Sequence, residues 1–292
     1  MTKATSRALV IGSVIVWLVI AAARAQLPAM GAGGLLHPGR RGEVVTPPSA
    51  CEPAAFSGLG VNLAGWRCRA ATERRGTIIY LHGIADNRSS AVGLIDRFTP
   101  MGFDVVAYDG RAHGESDGAA CTYGFFEKQD LQLVIDGVEG PVVLVGTSLG
   151  AAVALQQAGR DARVSAVVAA ESFSDLRTVA TERAPFFFTA WAIERAFSLA
   201  EQEGHFRIDD VSPVSAASSI KVPVLLIHGA QDEETPPSHA QRIFAALAGP
   251  KKLVLVPGAG HNESLQGDIW NEIERWLLAA APPQIRPAKS FP

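Results

Sequence analysis

The sequence lacks most of the signals that mark nucleic-acid, metal and nucleotide binding. Its formal net charge is only -3, and its paired basic residues, Arg40-Arg41 and Lys251-Lys252, are isolated, whereas nucleic-acid binding requires a clustered basic face. There is no H-E-x-x-H sequence and no set of paired cysteine ligands, so a metal site is not predicted. A G-x-x-x-x-G-K loop and a G-x-G-x-x-G turn that opens a helix are also missing, so no nucleotide cofactor is implied.

The full chain of 292 residues has the composition of a globular protein, with 48% hydrophobic and 19% charged residues. Near the start, Lys3 and Arg7 precede an uncharged run over residues 8–23, and small residues at positions 23 and 25 suit a signal peptidase. The run is short for a membrane span, which needs about 20 residues. We predict a cleaved export signal over residues 1–25, with an N-terminal membrane anchor as the alternative. Either one would place the rest of the chain outside the cytoplasm, as a periplasmic, secreted or anchored protein.

The chain has only three cysteines, and two of them flank a predicted antiparallel hairpin. Cys51 and Cys68 can form a disulfide in an oxidising compartment if their Cα atoms lie within about 7 Å, and the sequence leaves this open. Cys121 is then left over and is predicted to be a small buried residue. The preceding residues 26–50 are rich in Gly and Pro without a period, which predicts a tether that lacks regular structure.

From residue 77 onwards, continuous apolar runs alternate with helical segments. Such strands belong to a parallel sheet that helices cover on both faces. The predicted strands are 77–81, 104–108, 142–145, 164–170, 224–228 and 253–256, and the predicted helices are 89–101, 127–138, 149–158, 238–247 and 269–280. The sequence therefore predicts an α/β fold.

The interval between the strands that start at Val164 and Val224 is much longer than the others. The extra residues, 176–210, have helical composition and begin just beyond the carboxyl end of a strand, where ligands bind in such sheets. We expect them to form a cap over the site. Three aromatic residues of this insertion, Phe186, Phe187 and Trp191, are predicted to line the substrate pocket.

The strand at 142–145 runs into the sequence Gly146-Thr147-Ser148-Leu149-Gly150, and an alanine-rich helix follows. G-x-S-x-G between a strand and a helix predicts a nucleophile elbow, in which a tight turn lifts the Ser148 hydroxyl above the edge of the sheet. The N-terminus of the following helix then points at the site. Because this pentapeptide also occurs by chance, the prediction depends on partners elsewhere in the chain.

Two later strands are followed by an acid and a base, Asp232 and His261. The carboxyl ends of parallel strands lie at one edge of a sheet, so these side chains are expected to meet Ser148 there. The order Ser148, Asp232, His261 is also the order of the triad in the α/β-hydrolase fold. We predict these three residues as nucleophile, acid and base.

Between about Phe56 and Leu278, the sequence resembles α/β-hydrolases of the serine esterase, lysophospholipase and dipeptidyl-peptidase-like type. The resemblance is carried by the elbow and by Leu81-His82-Gly83, Tyr108 to Ser116, Pro223 to Asp232 and Gly260-His261. It implies an α/β-hydrolase fold over residues 51–282, with a mainly parallel sheet, helices on both faces and a helical cap insertion. Residues 283–292 would form a tail.

The resemblance also implies which backbone groups would bind an oxyanion, namely the N–H groups of Ile84 and Leu149. In some members of the family the acid follows the preceding strand, where this chain has Glu171 and Asp175. Asp232 is preferred because its loop leads into a new helix, as the family pattern expects.

These residues predict a serine hydrolase that cleaves an acyl bond through an acyl-enzyme, with a carboxylic ester of a small or lipid-like acyl group as the first choice. An exported peptidase or amidase, or a thioesterase, would use the same residues. A hypothesis of another class is a non-catalytic member of the fold that binds a ligand. No cofactor or nucleic-acid partner is predicted, and contact with a membrane is predicted through residues 1–25 if they are retained.

Overall fold

The protein is described by a computed structural model that covers residues 24–40 and 42–280. The predicted tail and all but the last two residues of the predicted export signal lie outside these ranges. No helix within the described ranges is both long enough and apolar enough to cross a membrane.

An eight-stranded sheet positions everything else in the described chain. Its strands are Cys51–Ser57 (β1), Asn62–Cys68 (β2), Gly76–Leu81 (β3), Phe103–Tyr108 (β4), Val142–Thr147 (β5), Val164–Ala170 (β6), Val224–Gly229 (β7) and Lys251–Val256 (β8). They lie in the order β1-β2-β4-β3-β5-β6-β7-β8. β2 pairs antiparallel with β1 and β4, and all other neighbours are parallel, which confirms the predicted mainly parallel sheet.

Successive residues of the central strands point to opposite faces of the sheet, and both faces are apolar. In β3, Ile79 and Leu81 belong to one buried cluster, whereas Ile78 and Tyr80 belong to the other. The helices of the sheet are Val92–Phe98 (α2), Glu127–Asp136 (α3), Leu149–Ala158 (α4), Pro213–Ala217 (α7), Ser238–Ala246 (α8) and Ile269–Ala280 (α9). α3, α4, α7 and α8 cover the first face, and α2 and α9 cover the second.

The hairpin of β1 and β2 is closed by a covalent bond. Cys51 and Cys68 face each other in the register of the two strands and form a disulfide. Cys121 is free and buried, as predicted, and this burial raises the pKa of its thiol.

The predicted insertion is helical, and it contains Leu176–Glu182 (α5), Ala190–Gly204 (α6) and a short 3-10 turn at Ile208–Asp210. Its buried residues form an apolar cluster of their own, to which Phe197 and Phe206 belong. The same cluster includes Ala152 of α4, one helical turn beyond Ser148. The insertion therefore packs over the end of the sheet where the elbow lies.

Residues 26–50 were predicted to lack regular structure, and this prediction is wrong for residues 26–36. Residues 24–36 form a helix (α1), in which Pro28, Ala32 and Leu36 are buried at a spacing of four residues. Ala32 and Leu36 belong to the apolar cluster of the insertion. The gain from burying this face outweighs the weak helix propensity of the Gly-rich and Pro-containing sequence. We refer to α1 and residues 176–210 together as the cap.

Replacement of Leu36 by Ala should measure how strongly α1 is bound to the rest of the cap. Leu36 is fully buried, so the truncation should lower the free energy of unfolding by about 2–5 kcal/mol. Leu59→Ala is a matched control because Leu59 is 46% exposed, and its cost should stay within about 0.5 kcal/mol. Urea unfolding of both variants tests this, and equal losses would show that α1 does not contribute to the folded core.

Candidate active site

Ser148 occupies a strained turn that the packing around it enforces. Its φ of 49° and ψ of -112° lie outside the usual regions for a side-chain-bearing residue. A Cβ on Gly146 would collide with the backbone of Gly150, and one on Gly150 would collide with the carbonyl oxygen of Leu81. The two glycines thus let α4 approach β3 and β5 closely enough to make the turn, and the Ser148 N–H donates to the Ala170 carbonyl at 2.8 Å.

His261 lies between Ser148 and Asp232. Its Nε2 is 3.1 Å from the Ser148 Oγ, and its Nδ1 is 2.7 Å from the Asp232 Oδ2. A proton on Nδ1 that is donated to the carboxylate leaves Nε2 free to accept the Ser148 hydroxyl proton. Burial by itself raises the pKa of Asp232, but hydrogen bonds from His228 and His261 outweigh it and hold the pKa below its ordinary value. Asp232 is therefore a carboxylate at neutral pH.

Glu171, an alternative acid in the sequence analysis, does not contact His261 but binds the backbone that follows it. Its Oε2 accepts the Asn262 N–H at 2.7 Å, and its Oε1 accepts the Ser264 N–H at 3.0 Å. Both bonds are shielded from water because Glu171 is buried. The carboxylate therefore holds the loop that carries His261.

Asp175, the other alternative acid, begins helix α5. It accepts the Thr178 N–H at 2.8 Å and so caps the helix N-terminus. It also accepts a hydrogen bond from the Ser174 hydroxyl. Of the three acids considered from the sequence, only Asp232 is hydrogen-bonded to His261 in the described chain.

His82 orients the loop that contains Ile84. Its Nε2 accepts the Gly110 N–H at 2.9 Å, so its ring proton is on Nδ1, which donates to the Gly83 carbonyl at 2.7 Å. Burial lowers the pKa of His82 and keeps the ring neutral. Because the peptide bond is trans, the Ile84 N–H points away from the side on which the Gly83 carbonyl is held.

This loop passes directly beside the nucleophile candidate. A Cβ on Gly83 would lie 3.6 Å from the Cβ of Ser148. Within the described ranges, neither Ile84 nor Leu149 uses its N–H in a hydrogen bond with another group of the chain. The two N–H groups predicted to bind an oxyanion are thus available for that role.

A cavity of about 530 Å³ adjoins the same loop. It is lined by Gly39, Arg40, Gly83, Ile84, Ala85, Asp86 and Asn262. Arg40 is fixed there because its guanidinium donates to the carbonyl oxygens of Ser116 at 2.7 Å and Gly118 at 2.9 Å. In the sequence Arg40 belongs to an isolated basic pair, and no local signal shows that the segment after α1 reaches this cavity.

The aromatic residues predicted to line the substrate pocket lie on the surface of the cap. Phe186 is 100% exposed, Trp191 65% and Phe187 52%. None of them lines the cavity beside Ile84. Their assignment as substrate-binding residues stays a prediction.

A second Ser–His–carboxylate set lies between α5 and α8. The Ser174 Oγ is 2.9 Å from Nδ1 of His239, whose Nε2 is 2.7 Å from the Glu182 Oε2. It differs from the first set in two ways. Ser174 is fully buried. His239 Nδ1 also accepts hydrogen bonds from the Ser174 backbone N–H and from the Arg242 guanidinium. This set connects the cap to the body and does not offer a nucleophile to a substrate.

The other histidines near strand ends shape their loops. His228 Nε2 donates to the Thr235 carbonyl at 2.7 Å in the loop of Asp232. His113 Nδ1 is bonded to the Arg111 carbonyl at 2.8 Å, and burial lowers the pKa of His113 to about 4. Across the part of the chain that the structure describes, no group of three or more His, Cys, Asp or Glu residues is arranged to hold a metal ion.

The sheet order, the strained elbow serine and the histidine beside it are those of the α/β hydrolases. Residues 78–269 match the alpha/beta hydrolase family, and since this is more than half of the chain, the protein belongs to that family. The uncharacterized protein YqkD of Bacillus subtilis is 30% identical over 224 residues, which cover 72% of this chain and 73% of that protein. The palmitoyl-protein thioesterase ABHD10, mitochondrial, of Mus musculus is 27% identical over 265 residues, with 80% of this chain and 87% of that protein covered.

Among solved structures, an esterase of Pyrococcus furiosus, Pf2001, superposes with a TM-score of 0.69. The alignment covers 85% of this chain and 98% of that chain at 22% identity. At this identity the similarity concerns the fold, and it confirms the predicted α/β-hydrolase architecture.

Glu171→Gln should separate a positioning role from a general structural one. A glutamine can accept only one of the two N–H groups and presents an NH₂ to the other, so the His261 loop should shift. We expect kcat on an activated ester to fall by about 10- to 100-fold with little change in KM, since small misplacements of a catalytic group cost this much. Asp175→Asn is the matched control and should change kcat by less than about twofold. A larger loss for Asp175→Asn than for Glu171→Gln would contradict the positioning role.

Proposed function

We propose that the protein is a serine hydrolase that cleaves a carboxylic ester of an apolar acyl group. The observation that carries the proposal is the hydrogen-bonded series from Ser148 through His261 to a buried, ionised Asp232, situated at the elbow. A non-catalytic, ligand-binding member of the fold would have no need of this arrangement.

In the proposed first step, His261 Nε2 takes the Ser148 hydroxyl proton as Oγ attacks the carbonyl carbon of the ester. Asp232 stabilises the imidazolium that forms, and the N–H groups of Ile84 and Leu149 receive the negative charge on the carbonyl oxygen. The bond to the alcohol then breaks, and His261 returns the proton to the leaving oxygen. The acyl group remains on Ser148.

In the second step, His261 takes a proton from a water molecule, which attacks the acyl carbon. The same two N–H groups stabilise the second oxyanion. The bond to Ser148 breaks, Oγ recovers its proton from His261, and the free acid leaves. The sequence of steps needs no group beyond the described residues and water.

An apolar acyl group is favoured by the buried side chains that pack next to the elbow. Ala152, one turn along α4 from Ser148, and Phe173 belong to the apolar cluster of the cap. An acyl thioester is a second candidate, because a relative covered over 87% of its length is named a palmitoyl-protein thioesterase. Both substrates would present the same acyl carbonyl to Ser148 and differ only in the leaving atom.

Ser148→Ala should abolish covalent labelling by a fluorophosphonate and lower turnover of an activated acyl ester by roughly 10⁴- to 10⁶-fold, because the nucleophile is lost. Ser174→Ala is the matched control, since Ser174 also lies within 2.9 Å of a histidine nitrogen. Gel detection of the probe and initial rates measure both effects. The assignment is wrong if Ser174→Ala loses the label and Ser148→Ala retains it, and an unlabelled wild-type protein would favour the non-catalytic alternative.

A substrate panel should rank ester, thioester and amide bonds. We expect kcat/KM to be highest for p-nitrophenyl esters and to rise from acetate to a medium-chain acyl group, because each buried CH₂ contributes about 0.8 kcal/mol of binding. Thioesters with the same acyl chains and aminoacyl p-nitroanilides are the comparison. A higher kcat/KM for the thioesters at every chain length would show that the substrate is a thioester and not an ester. A higher kcat/KM for the anilides would indicate a peptidase.

A further inference from the structure

An uncharged aromatic surface is exposed on the cap. It consists of Met30 on α1, Phe186 and Phe187 between α5 and α6, and Trp191 on α6, and we call it the aromatic patch. Phe186 is 100% exposed, and Trp191 and Met30 are 65% and 63% exposed. Isolated apolar residues are common on protein surfaces, but several large ones side by side mark an interaction site.

Phe188, which lies between the two segments, connects them into one surface. A Cβ on Gly31 would lie 3.0 Å from the Phe188 ring, so the backbone next to Met30 rests on Phe188. The ring centroids of Phe187 and Phe188 are 5.5 Å apart, and those of Phe186 and Phe187 are also 5.5 Å apart. Trp191 follows in the first turn of α6, after Thr189 caps the helix.

The two chain segments that carry the patch contain no charged residue. Residues 25–36 contain no Asp, Glu, Lys or Arg, and neither do residues 184–193. A site for an acidic or basic partner would need such groups. An apolar partner that also accommodates the amphipathic tryptophan ring fits this surface better.

With residues 1–25 retained as the N-terminal membrane anchor of the sequence analysis, the sequence that leads into α1 identifies that partner. Residues 8–23 form an uncharged apolar run, and only Arg24 interrupts it before α1 continues toward Met30. From Arg24 to Met30 the helix rises by about 9 Å, at about 1.5 Å per residue. A membrane entered by residues 8–23 would therefore meet the aromatic patch at its surface.

We propose that the aromatic patch docks into the interfacial region of a lipid bilayer. Phe and Trp side chains would lie at the level of the headgroups, where amphipathic aromatic rings are favoured, and Met30 would lie beside them. Because no charged group takes part, the attachment should persist at high salt. This docking does not depend on the reaction at Ser148.

Trp191 allows the docking to be measured locally on the full chain. The background variant is Trp17→Phe, because Trp17 is the tryptophan of the apolar run and would report on that run. Subtracting the emission of Trp17→Phe/Trp191→Phe isolates the signal of Trp191. The probe is a phosphatidylcholine vesicle whose acyl chains are either plain or brominated, since bromine quenches a nearby indole.

We expect the Trp191 emission to be about twofold or more weaker in brominated than in plain vesicles at low and high salt, because interfacial groups lie about 5–10 Å into the headgroup and acyl boundary. Phe186→Ser/Phe187→Ser in the same background should reduce this quenching. Leu59→Ser/Leu133→Ser is the matched control for the loss of exposed apolar residues and should leave it unchanged. Far-ultraviolet circular dichroism checks that each variant is folded.

Equal Trp191 emission in the two kinds of vesicle, with the chain bound to both, would overturn the proposal. Two other occupants give distinct results. If residues 8–23 of the same chain or a second copy covers the patch, acrylamide will fail to quench Trp191 without vesicles. Light scattering would then distinguish a monomer from a dimer, and either result would also overturn the proposal.

Discussion

The close approach of α4 to β3 at Gly150 is the constraint on which the site depends. No side chain fits between this glycine and the Leu81 carbonyl, and Gly146 faces the same helix from β5. With both glycines in place, the chain can reverse within one residue, and Ser148 takes its positive φ. The strain at Ser148 is held by the packing of a fully buried helix against the buried strands β3 and β5. The serine thereby stands at the same sheet edge as the loops of Asp232 and His261.

Three carboxylates of this edge have different roles, although their chemistry is the same. Asp232 accepts from the imidazole of His261, Glu171 accepts from the backbone that follows His261, and Asp175 accepts from the first turn of α5. Asp232 and Glu171 are buried, and a buried carboxylate must find donors, so each of these two organises the N–H groups that reach it. His261 is therefore positioned by two carboxylates: Asp232 binds its ring, and Glu171 binds the loop that carries it.

The cap is composed of two parts of the chain that are distant in sequence. α1 packs on α6 at Gly31 and Leu36, and the segment after α1 brings Arg40 to the cavity beside Ile84. The helix α5 is in turn tied to α8 through Glu182 and His239. The cap therefore shields one side of the site with buried apolar residues, while its aromatic patch remains exposed on another.

Local sequence was enough to predict much of this architecture. The bounds of Val164–Ala170, Leu149–Ala158 and Ile269–Ala280 agree with prediction, because apolar periodicity and the turn residues beside it are local properties. The approximate positions of Ser148, Asp232 and His261 followed because parallel strands end at one edge. The predicted helix at 89–101 is shorter, since Asn87 starts a 3-10 turn at Arg88–Ala91 before α2.

Tertiary structure decided the rest. The sequence determined that a serine, an acid and a histidine would follow strands of one parallel sheet, because strand order and side-chain type are written in the chain. Only long-range packing decided that α1 is a helix, since the burial of Ala32 and Leu36 against the insertion outweighs the local cost of glycine and proline. The sequence favoured Asp232 as the acid, but only the fold decided that Glu171 holds the loop of His261, because this depends on which N–H groups reach a buried carboxylate.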